Sequence, residues 1–400
     1  MQLKKLRVGV WVPSNYEPKS GGGYSYYAYL TDELNRYQFA DAEIVFISFN
    51  PDINKIPFEN RYSVKSKIRY NIFERIFIKL KQDPFGTIKS KRKKLKAELN
   101  EVIDIIYYLV PTFTLGENSI DNFPFVCTLW DLSHTSSYSF PELSMNGVFE
   151  YRKPHLDKIV YKALKVFTES EAGKSDAVKY LNLSPNRVGV IPLFPSDIVT
   201  EICSEEKPEG INENDFFIHY PAQFWAHKNH YNLILAFKKI LNTYPSLKLI
   251  LCGSDKGNKE YILDLISQYK LNDQVITLGF VKNEELKWIY KHSAGLVMPT
   301  FLGPTNMPVV EAAELDCPVA CSDFDGHREQ LGNYGYYFNP LWPDSIADAI
   351  FKMISDHKNG IKRRYSNEKF TISNTLTELD KAFSEIRSIR FCWGSFDEIF

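Results

Sequence analysis

Uninterrupted apolar stretches of the roughly 18 residues that a membrane-crossing helix needs are missing from this 400-residue sequence. Any meeting with a bilayer is therefore expected from the side. The opening MQLKKLRVGVWVP joins a basic flank to an apolar segment too short for the core of a secretory signal. Polar loop residues follow at once, so secretion is not expected. Cysteine is scarce. Of the six (Cys127, Cys203, Cys252, Cys317, Cys321, Cys392), three sit inside the apolar runs FVCTLW, LILCG and PVACS. They read as small buried hydrophobes rather than a disulfide framework. Cys317 and Cys321 have no second pair at zinc-ligand spacing, which argues against a structural zinc. Excess charge is missing too: 48 Lys and Arg stand against 49 Asp and Glu, for a formal net charge of −1. Phosphate-backbone binding leans on cationic excess, so nucleic acid is not an expected partner and any basic surface has to be local.

What is present is a chain with 44% hydrophobic and 24% charged residues, long enough for two or three domains with their own cores. Short β-branched apolar runs alternate with amphipathic helical stretches, the pattern of parallel sheets covered by helices on both faces. In the first half, strands are expected at 6–12, 43–48, 104–108, 125–129, 165–168 and 188–191, with helices at 24–37 and near 149–163. In the second half, strands are expected at 216–220, 248–252, 275–278, 295–298 and 318–321. Helices fit near 231–242, 259–269, 284–292, 309–315 and 345–354. The turn-rich passage from Pro195 to Asn214 contains SEEKPEGINEND and reads as an interdomain linker. The fold class this predicts is α/β, with two Rossmann-like, doubly wound domains facing a central cleft. Residues 1–200 form the first domain, 201–380 the second, and 381–400 a C-terminal tail packing back on the first. Such sheets bind ligands beyond the carboxyl ends of their strands, at the switch points, so the chemistry belongs in that cleft.

Four segments carry candidate chemistry. In PSNYEPKSGGGYSYYAYL, Gly21, Gly22 and Gly23 fall between the first strand and the first long helix. Glycine there lets backbone amides approach a phosphate at a helix N-terminus, although a structural turn accounts for the same residues. In HYPAQFWAHKNHYNLILAF, a strand ends in a loop with His227, Lys228, Asn229 and His230. A lysine held there can neutralise charge on a departing diphosphate; a solvated loop gives the same pattern. The most specific segment is LVMPTFLGPTNMPVVEAAELDCPVACSD, where a buried strand enters a Gly/Pro loop, Gly303 to Pro308, and then a helix with Glu311 in its first turn. Free amides and the helix dipole favour an anionic diphosphate there, and Glu311 can accept from two ribose hydroxyls, with ordinary capping as the plain alternative. In FVCTLWDLSHTSSYSFPEL, a strand opens onto Trp130, Asp131 and His134. A carboxylate and an imidazole there suit acceptor positioning or proton transfer, or a capped turn. Asp323 and Asp325 make an Asp-x-Asp pair, but their loop offers too few carboxylates for an oxygen-ligated ion, and no metal site is expected.

The order of these segments resembles the large retaining GT-B glycosyltransferase family often called family four, the glycosyl transferases group 1, over nearly the whole chain. The resemblance is carried by the Gly21 to Gly23 loop, VFTESEAGKSDAVKYLNLSPNRVGVIPL, YPAQFWAHKNH, GPTNMPVVEAAELDCPVACSD and REQLGNYGYYFNP, with GPTNMPxxEA and AQFWxHKN as subgroup motifs. It implies a nucleotide-diphosphate sugar donor held mainly by the second domain, an acceptor-side first domain, retention of configuration, and no metal or other cofactor. By resemblance Glu311 matches the second glutamate of the family's pair, which binds ribose, and Lys228 the lysine on the donor phosphates. Gly22 and Gly23 match the N-terminal loop that touches the same diphosphate. Gln223, Gly303, Pro304, Thr305, Asn306, Met307 and Pro308 are the remaining donor-side positions, with amides around Thr305 to Met307 completing the cradle. The candidate catalytic residues are Lys228, Asp131 and His134. Three positions depart from the family: Gly303 replaces the first glutamate of the pair, Gln223 an arginine, and Trp130 a histidine. Gln223 and Asn306 offer hydrogen bonds where charge is lost.

From Lys65 to Lys96, twelve lysines and arginines are interleaved with Ile68, Tyr70, Ile72, Phe73, Ile76, Phe77 and Ile78. That mixture suits an anionic membrane surface, and a solvated helical face with an inward apolar stripe accounts for it equally well. The expected function is transfer of a hexose or deoxyhexose to a saccharide or lipid-linked saccharide acceptor in bacterial-type surface polysaccharide synthesis, O-antigen or capsule. The expected location is the cytoplasm, including the inner face of the plasma membrane. The three departures motivate two competing readings, a non-catalytic nucleotide-sugar-binding protein of the same architecture and a nucleotide-sugar epimerase.

Overall fold

The computed structural model describes residues 4–12, 22–55, 57–109, 123–137 and 139–393. Its first sheet contains β1 (Leu6–Trp11), β2 (Ala42–Ser48), β3 (Arg61–Ser63), β4 (Ile105–Tyr108), β5 (Phe125–Leu129), β6 (Lys165–Thr168) and β7 (Val188–Val190). The strands are parallel and lie in the order β3-β2-β1-β4-β5-β6-β7. Around them pack α1 (Gly22–Arg36), α2 (Ile72–Lys79), α3 (Thr87–Val102), α4 (Ser133–Ser136), α5 (Pro141–Ser144), α6 (Val148–Val160) and α7 (Glu171–Leu181). The second sheet contains β8 (Phe217–Pro221), β9 (Lys248–Cys252), β10 (Val275–Gly279), β11 (Leu296–Met298), β12 (Val319–Ser322) and β13 (Tyr336–Phe338). It is parallel as well, in the order β10-β9-β8-β11-β12-β13. Its helices are α8 (His230–Ile240), α9 (Lys259–Gln268), α10 (Asn283–His292), α11 (Met307–Glu314), α12 (Asp325–Leu331) and α13 (Pro343–Lys358), before the chain closes on α14 (Ile372–Arg390).

Central strands such as β4 and β5 are buried along their whole length, as they must be when helices cover both faces of a parallel sheet. That is why they read as continuous apolar runs. The shorter β3 and β13, with three residues each, carry no such run. Strand order reverses between β1 and β4 in the first sheet and between β8 and β11 in the second. The crevice beyond the second reversal is walled by the loops that follow β8 and β11, the two segments with Lys228 and with Gly303 to Pro308. In the first sheet the corresponding loops, 13–21 and 110–122, lie outside the described residues.

The C-terminal segment expected to begin at 381 starts earlier. Thr371 caps α14 by accepting from the Asn374 amide, so position 381 falls in mid-helix. This helix leaves the second domain and covers the first sheet. Leu379, Phe383 and Ile386 are buried, and the Phe383 ring meets Tyr107 and Phe39 at 5.9 and 5.3 Å between centroids. Each fully buried side chain of this kind contributes roughly 1.5–3 kcal/mol. The chain therefore crosses between domains twice. The crossings touch, because the Thr375 hydroxyl donates to the Pro192 carbonyl at 2.6 Å.

Candidate active site

A cavity of about 570 Å³ lies between the domains, and Asp131, Gln223, Lys228 and the loop from Gly303 to Pro308 all line it. Lys228 arrives there because the segment after β8 is stitched to the segment after β11. The Asn229 amide donates to the carbonyls of Pro299 and Pro340 at 2.9 and 2.8 Å, and the Phe301 N–H donates to the His227 carbonyl at 2.8 Å. Asn229 itself takes a left-handed conformation, φ 59°, which asparagine tolerates better than most residues.

The Lys228 ammonium reaches the Asn306 side-chain oxygen at 3.4 Å. Burial lowers its pKa from 10.5 to about 8, against the opposing pull of Asp131. Asn306 is in turn oriented from below. Its amide nitrogen lies 2.9 Å from His327 Nε2, while His327 Nδ1 lies 2.7 Å from the Ser322 carbonyl. That carbonyl can only accept, so Nδ1 carries the proton and Nε2 accepts from Asn306. Burial pushes the His327 pKa down to about 4, which keeps the ring neutral and the relay intact. The Asn306 backbone N–H is taken by the Gln330 side chain at 3.1 Å, so this amide of the expected cradle already has a partner. His327 and Gln330 are not singled out by the sequence, since the Asn306 they both hold lies more than 20 residues away.

Gly303 has φ 110°, and a Cβ there would stand 3.0 Å from the Thr305 carbonyl. The backbone at this position suits glycine and no larger residue. Gly326, at the start of α12, lies so close beneath the loop that a Cβ would overlap the Pro304 carbonyl at 1.4 Å.

Other candidates stand differently. Asp131 is on the cavity wall, where its carboxylate accepts from the Ser133 N–H at 2.9 Å and lies 3.5 Å from Arg152. His134 is carried by α4 into the protein, 1% exposed and off the cavity lining. Its ring nitrogens have no hydrogen-bond partner among the described residues, and burial lowers its pKa to about 4. Proximity to Asp131 in sequence thus does not become proximity in the cleft. Glu311 is buried and engaged: one oxygen accepts from the Ser196 hydroxyl and N–H, the other from the Tyr290 hydroxyl at 3.0 Å. Gln223 accepts from the Trp225 indole at 3.0 Å. Gly22 and Gly23 open α1, and Gly21 lies outside the described residues.

Polar contacts join the two walls. Thr305 donates to Glu169 at 2.7 Å, Glu142 accepts from the His227 N–H at 2.9 Å and pairs with its ring, and Ser196 holds Glu311. Glu329 of α12 accepts from the first two amides of α7, Glu171 and Ala172, at 3.0 and 3.2 Å. Glu169 lies within the resembling segment VFTESEAGK and carries no motif signal of its own. Burial raises its pKa from 4.5 to about 8, with Asp131 adding to the effect and Thr305 opposing it. Among the described residues no group of three or more His, Cys, Asp or Glu side chains is placed to hold a metal ion. Asp323 is instead occupied by the Arg328 guanidinium.

Two facing Rossmann-like domains with a cleft of about 570 Å³ between them define the GT-B architecture. Residues 203–369, within the second domain, match the family model for glycosyl transferases group 1. An uncharacterized glycosyltransferase of Methanocaldococcus jannaschii is 28% identical over 205 residues, 49% of this chain and 52% of that protein. The O-antigen chain mannosyltransferase B of Escherichia coli is 23% identical over 236 residues, 58% of this chain and 61% of that one. These matches thus span about half to three fifths of the relatives' length. Among solved structures, sucrose-phosphate synthase from Thermosynechococcus elongatus superposes with a TM-score of 0.68 at 16% identity, covering 96% of this chain and 100% of that one. Anabaena HepE in complex with UDP and glucose gives 0.66 at 15%, covering 95% and 100%. Both likenesses concern the fold.

Proposed function

We propose that the protein is a glycosyltransferase that moves a hexose or deoxyhexose from a nucleotide-diphosphate sugar to a saccharide acceptor of a bacterial-type surface polysaccharide, without a metal and with retention of configuration. The observation that carries this reading is the partly desolvated Lys228 ammonium facing the loop before α11 in a cavity shared by two domains. A cation held this way gains most when negative charge develops on a departing diphosphate. The acceptor hydroxyl then forms the new bond to the sugar carbon as the sugar–phosphate bond breaks, its electron pair leaving on the phosphate and its proton passing to a phosphate oxygen on the same face. Asp131, on the wall contributed by the first domain, suits orientation of the acceptor. The O-antigen mannosyltransferases among the relatives favour a polysaccharide acceptor.

A lipid-linked acceptor would be met at the cytoplasmic face of a membrane. No helix among the described residues is long and apolar enough to cross one. Instead α2 turns Ile72, Phe73, Ile76 and, just beyond its end, Leu80 outward, and Phe85 is 79% exposed in the turn to α3. Exposed Arg69, Arg75, Lys79, Lys81, Lys89 and Lys93 surround them, a pairing of apolar anchors and cations that fits anionic headgroups. Nucleic acid lacks a counterpart to the apolar anchors.

The test is a calorimetric titration with UDP, GDP, ADP, CMP and TDP, with and without chelator, followed by transfer assays with sugars on the nucleotide that binds and NMR of the product anomer. Transfer that survives chelation with the anomeric configuration kept is expected. Binding without turnover would favour the non-catalytic reading, and epimer formed without acceptor the epimerase. Flotation with phosphatidylglycerol vesicles tests the membrane face: salt-sensitive binding that is lost in Phe73→Glu/Phe85→Glu is expected, and equal binding by wild type and variant would overturn it.

A further inference from the structure

The first-domain wall of the cavity carries three polar groups that the proposed mechanism leaves unused. Glu169 follows β6 directly and precedes Ser170, the residue that caps α7 by accepting from the Gly173 N–H. Its backbone is fixed on one side by that cap and on the other by the Leu193 N–H, which donates to its carbonyl at 3.1 Å. The carboxyl group therefore projects at a set height beyond the strand's carboxyl end, into the cavity. One of its oxygens accepts from Thr305, and the other has no partner among the described residues. On the same wall, the Tyr26 hydroxyl and the Trp130 indole N–H are buried atoms without a hydrogen-bond partner among the described residues. The Tyr26 and Trp130 rings meet edge to face at 5.9 Å, and Tyr26 is stacked on Phe194 at 4.8 Å, so neither ring is free to turn its polar atom elsewhere.

Buried polar groups left without a partner are costly, and native proteins keep few of them. Here an indole donor, a phenol that can give or take, and a carboxyl oxygen gather on one wall beside aromatic surface. A pyranose ring presents the complement: hydroxyls that both donate and accept, alternating with apolar C–H faces. The other carboxylates of the cavity each hold one oxygen on a neighbour, Glu142 on His227 and Asp131 on the Ser133 amide.

Resting on the transferase reading for its setting, we propose that Glu169, with the Tyr26 hydroxyl and the Trp130 N–H, forms a sugar-binding subsite in which Glu169 selects the hydroxyl pattern of the ring. The sugar is either the hexosyl group of the donor or the terminal residue of the acceptor, and both present the same chemistry. A site built to bond a particular hydroxyl rejects analogues that lack it far more strongly than a merely apolar pocket does.

The experiment compares wild type with Glu169→Gln and Tyr26→Phe. At pH 9, above the Glu169 pKa of about 8, glutamine keeps an oxygen for Thr305 but turns the cavity-facing acceptor into a donor, and phenylalanine removes one hydroxyl and nothing else. Affinities for UDP, UDP-glucose, GDP and GDP-mannose are measured by calorimetry, and binding of free glucose, mannose, galactose and rhamnose by saturation-transfer NMR. A loss of about tenfold or more, the scale of one buried hydrogen bond, is expected for sugar nucleotide relative to bare nucleotide if the subsite holds the donor sugar. The same loss for a free monosaccharide, with sugar nucleotides unchanged, is expected if it holds the acceptor. A merely structural role would leave the ratio of sugar-nucleotide to nucleotide affinity unmoved. Variants that match wild type for every ligand, or that lose nucleotide and sugar nucleotide equally, overturn the subsite. Failure of the wild type to bind any nucleotide would instead remove the transferase reading, while the monosaccharide arm still tests the subsite.

Discussion

Replacing Lys228 with methionine, which keeps the length of the side chain and removes its charge, should change stability and binding in opposite directions. The drop in its pKa from 10.5 to about 8 corresponds to roughly 3 kcal/mol of strain on the ammonium form. The side chain is only partly buried, so solvent screening leaves about half of that, 1–2 kcal/mol. Because the folded pKa lies below the unfolded one, the unfolded chain holds more protons between pH 8 and 10.5. The penalty is fully present below pH 8 and disappears as pH rises through that window. Lys228→Met should therefore be more stable than wild type by about 1–2 kcal/mol at pH 7, with the difference vanishing above pH 10.5. The same variant should slow transfer by on the order of 10²-fold, the usual loss for a contact made to charge in a transition state. Urea denaturation at pH 7 and pH 10, paired with single-turnover transfer assays, reads both quantities. A variant less stable than wild type at pH 7 and equally active would refute the reasoning at both points.

Three further outcomes follow from the same geometry. Glu311→Ala strands the Ser196 and Tyr290 hydroxyls in a buried site and should cost about 2–4 kcal/mol of stability in denaturant titrations; unchanged stability would show that those contacts open readily to a ribose. Gly326→Ala forces a methyl group onto the Pro304 carbonyl, so nucleotide affinity should fall at least tenfold or folding should fail, and a well-folded variant with wild-type affinity would contradict the packing. The raised Glu169 pKa means that the folded state keeps a proton that the unfolded chain releases above pH 4.5. The stability this confers is complete below pH 4.5 and lost as pH rises to about 8. Glu169→Gln should gain on wild type steadily across that range, and parallel pH profiles would count against it.

The two-sheet architecture was legible because central parallel strands are buried on both faces and so appear as short unbroken apolar runs. β3 and β13 escaped because their triplets RYS and YYF, at the sheet edges, lack the β-branched residues that mark the equally short β7 and β11. α7 and α12 escaped because few of their positions face a core: Gly173, Ala177 and Leu181 in the first, and a largely polar Gly326, His327, Gln330 and Leu331 in the second. In the cleft, Lys228 and the Gly303 to Pro308 loop could be read from a strand, a loop and a helix in succession. Glu169 could not, because its significance comes from Thr305, 136 positions away. His134 stands off the cavity lining for the converse reason. A single turn of helix after Asp131 is enough to bury a neighbour in sequence away from the cavity.

The doubled crossing at Pro192 and Thr375 gives the molecule a spine. There the domains share continuous chain and a common hydrogen bond, whereas across the cleft they meet through polar contacts at Thr305, His227 and Glu329. Each clasp exchanges with water for little net free energy, about 0.5–1.5 kcal/mol, while the spine needs only a few backbone dihedrals to turn. The cleft behaves as a book held by its binding, and a ligand bridging the pages has only to replace the clasps it breaks.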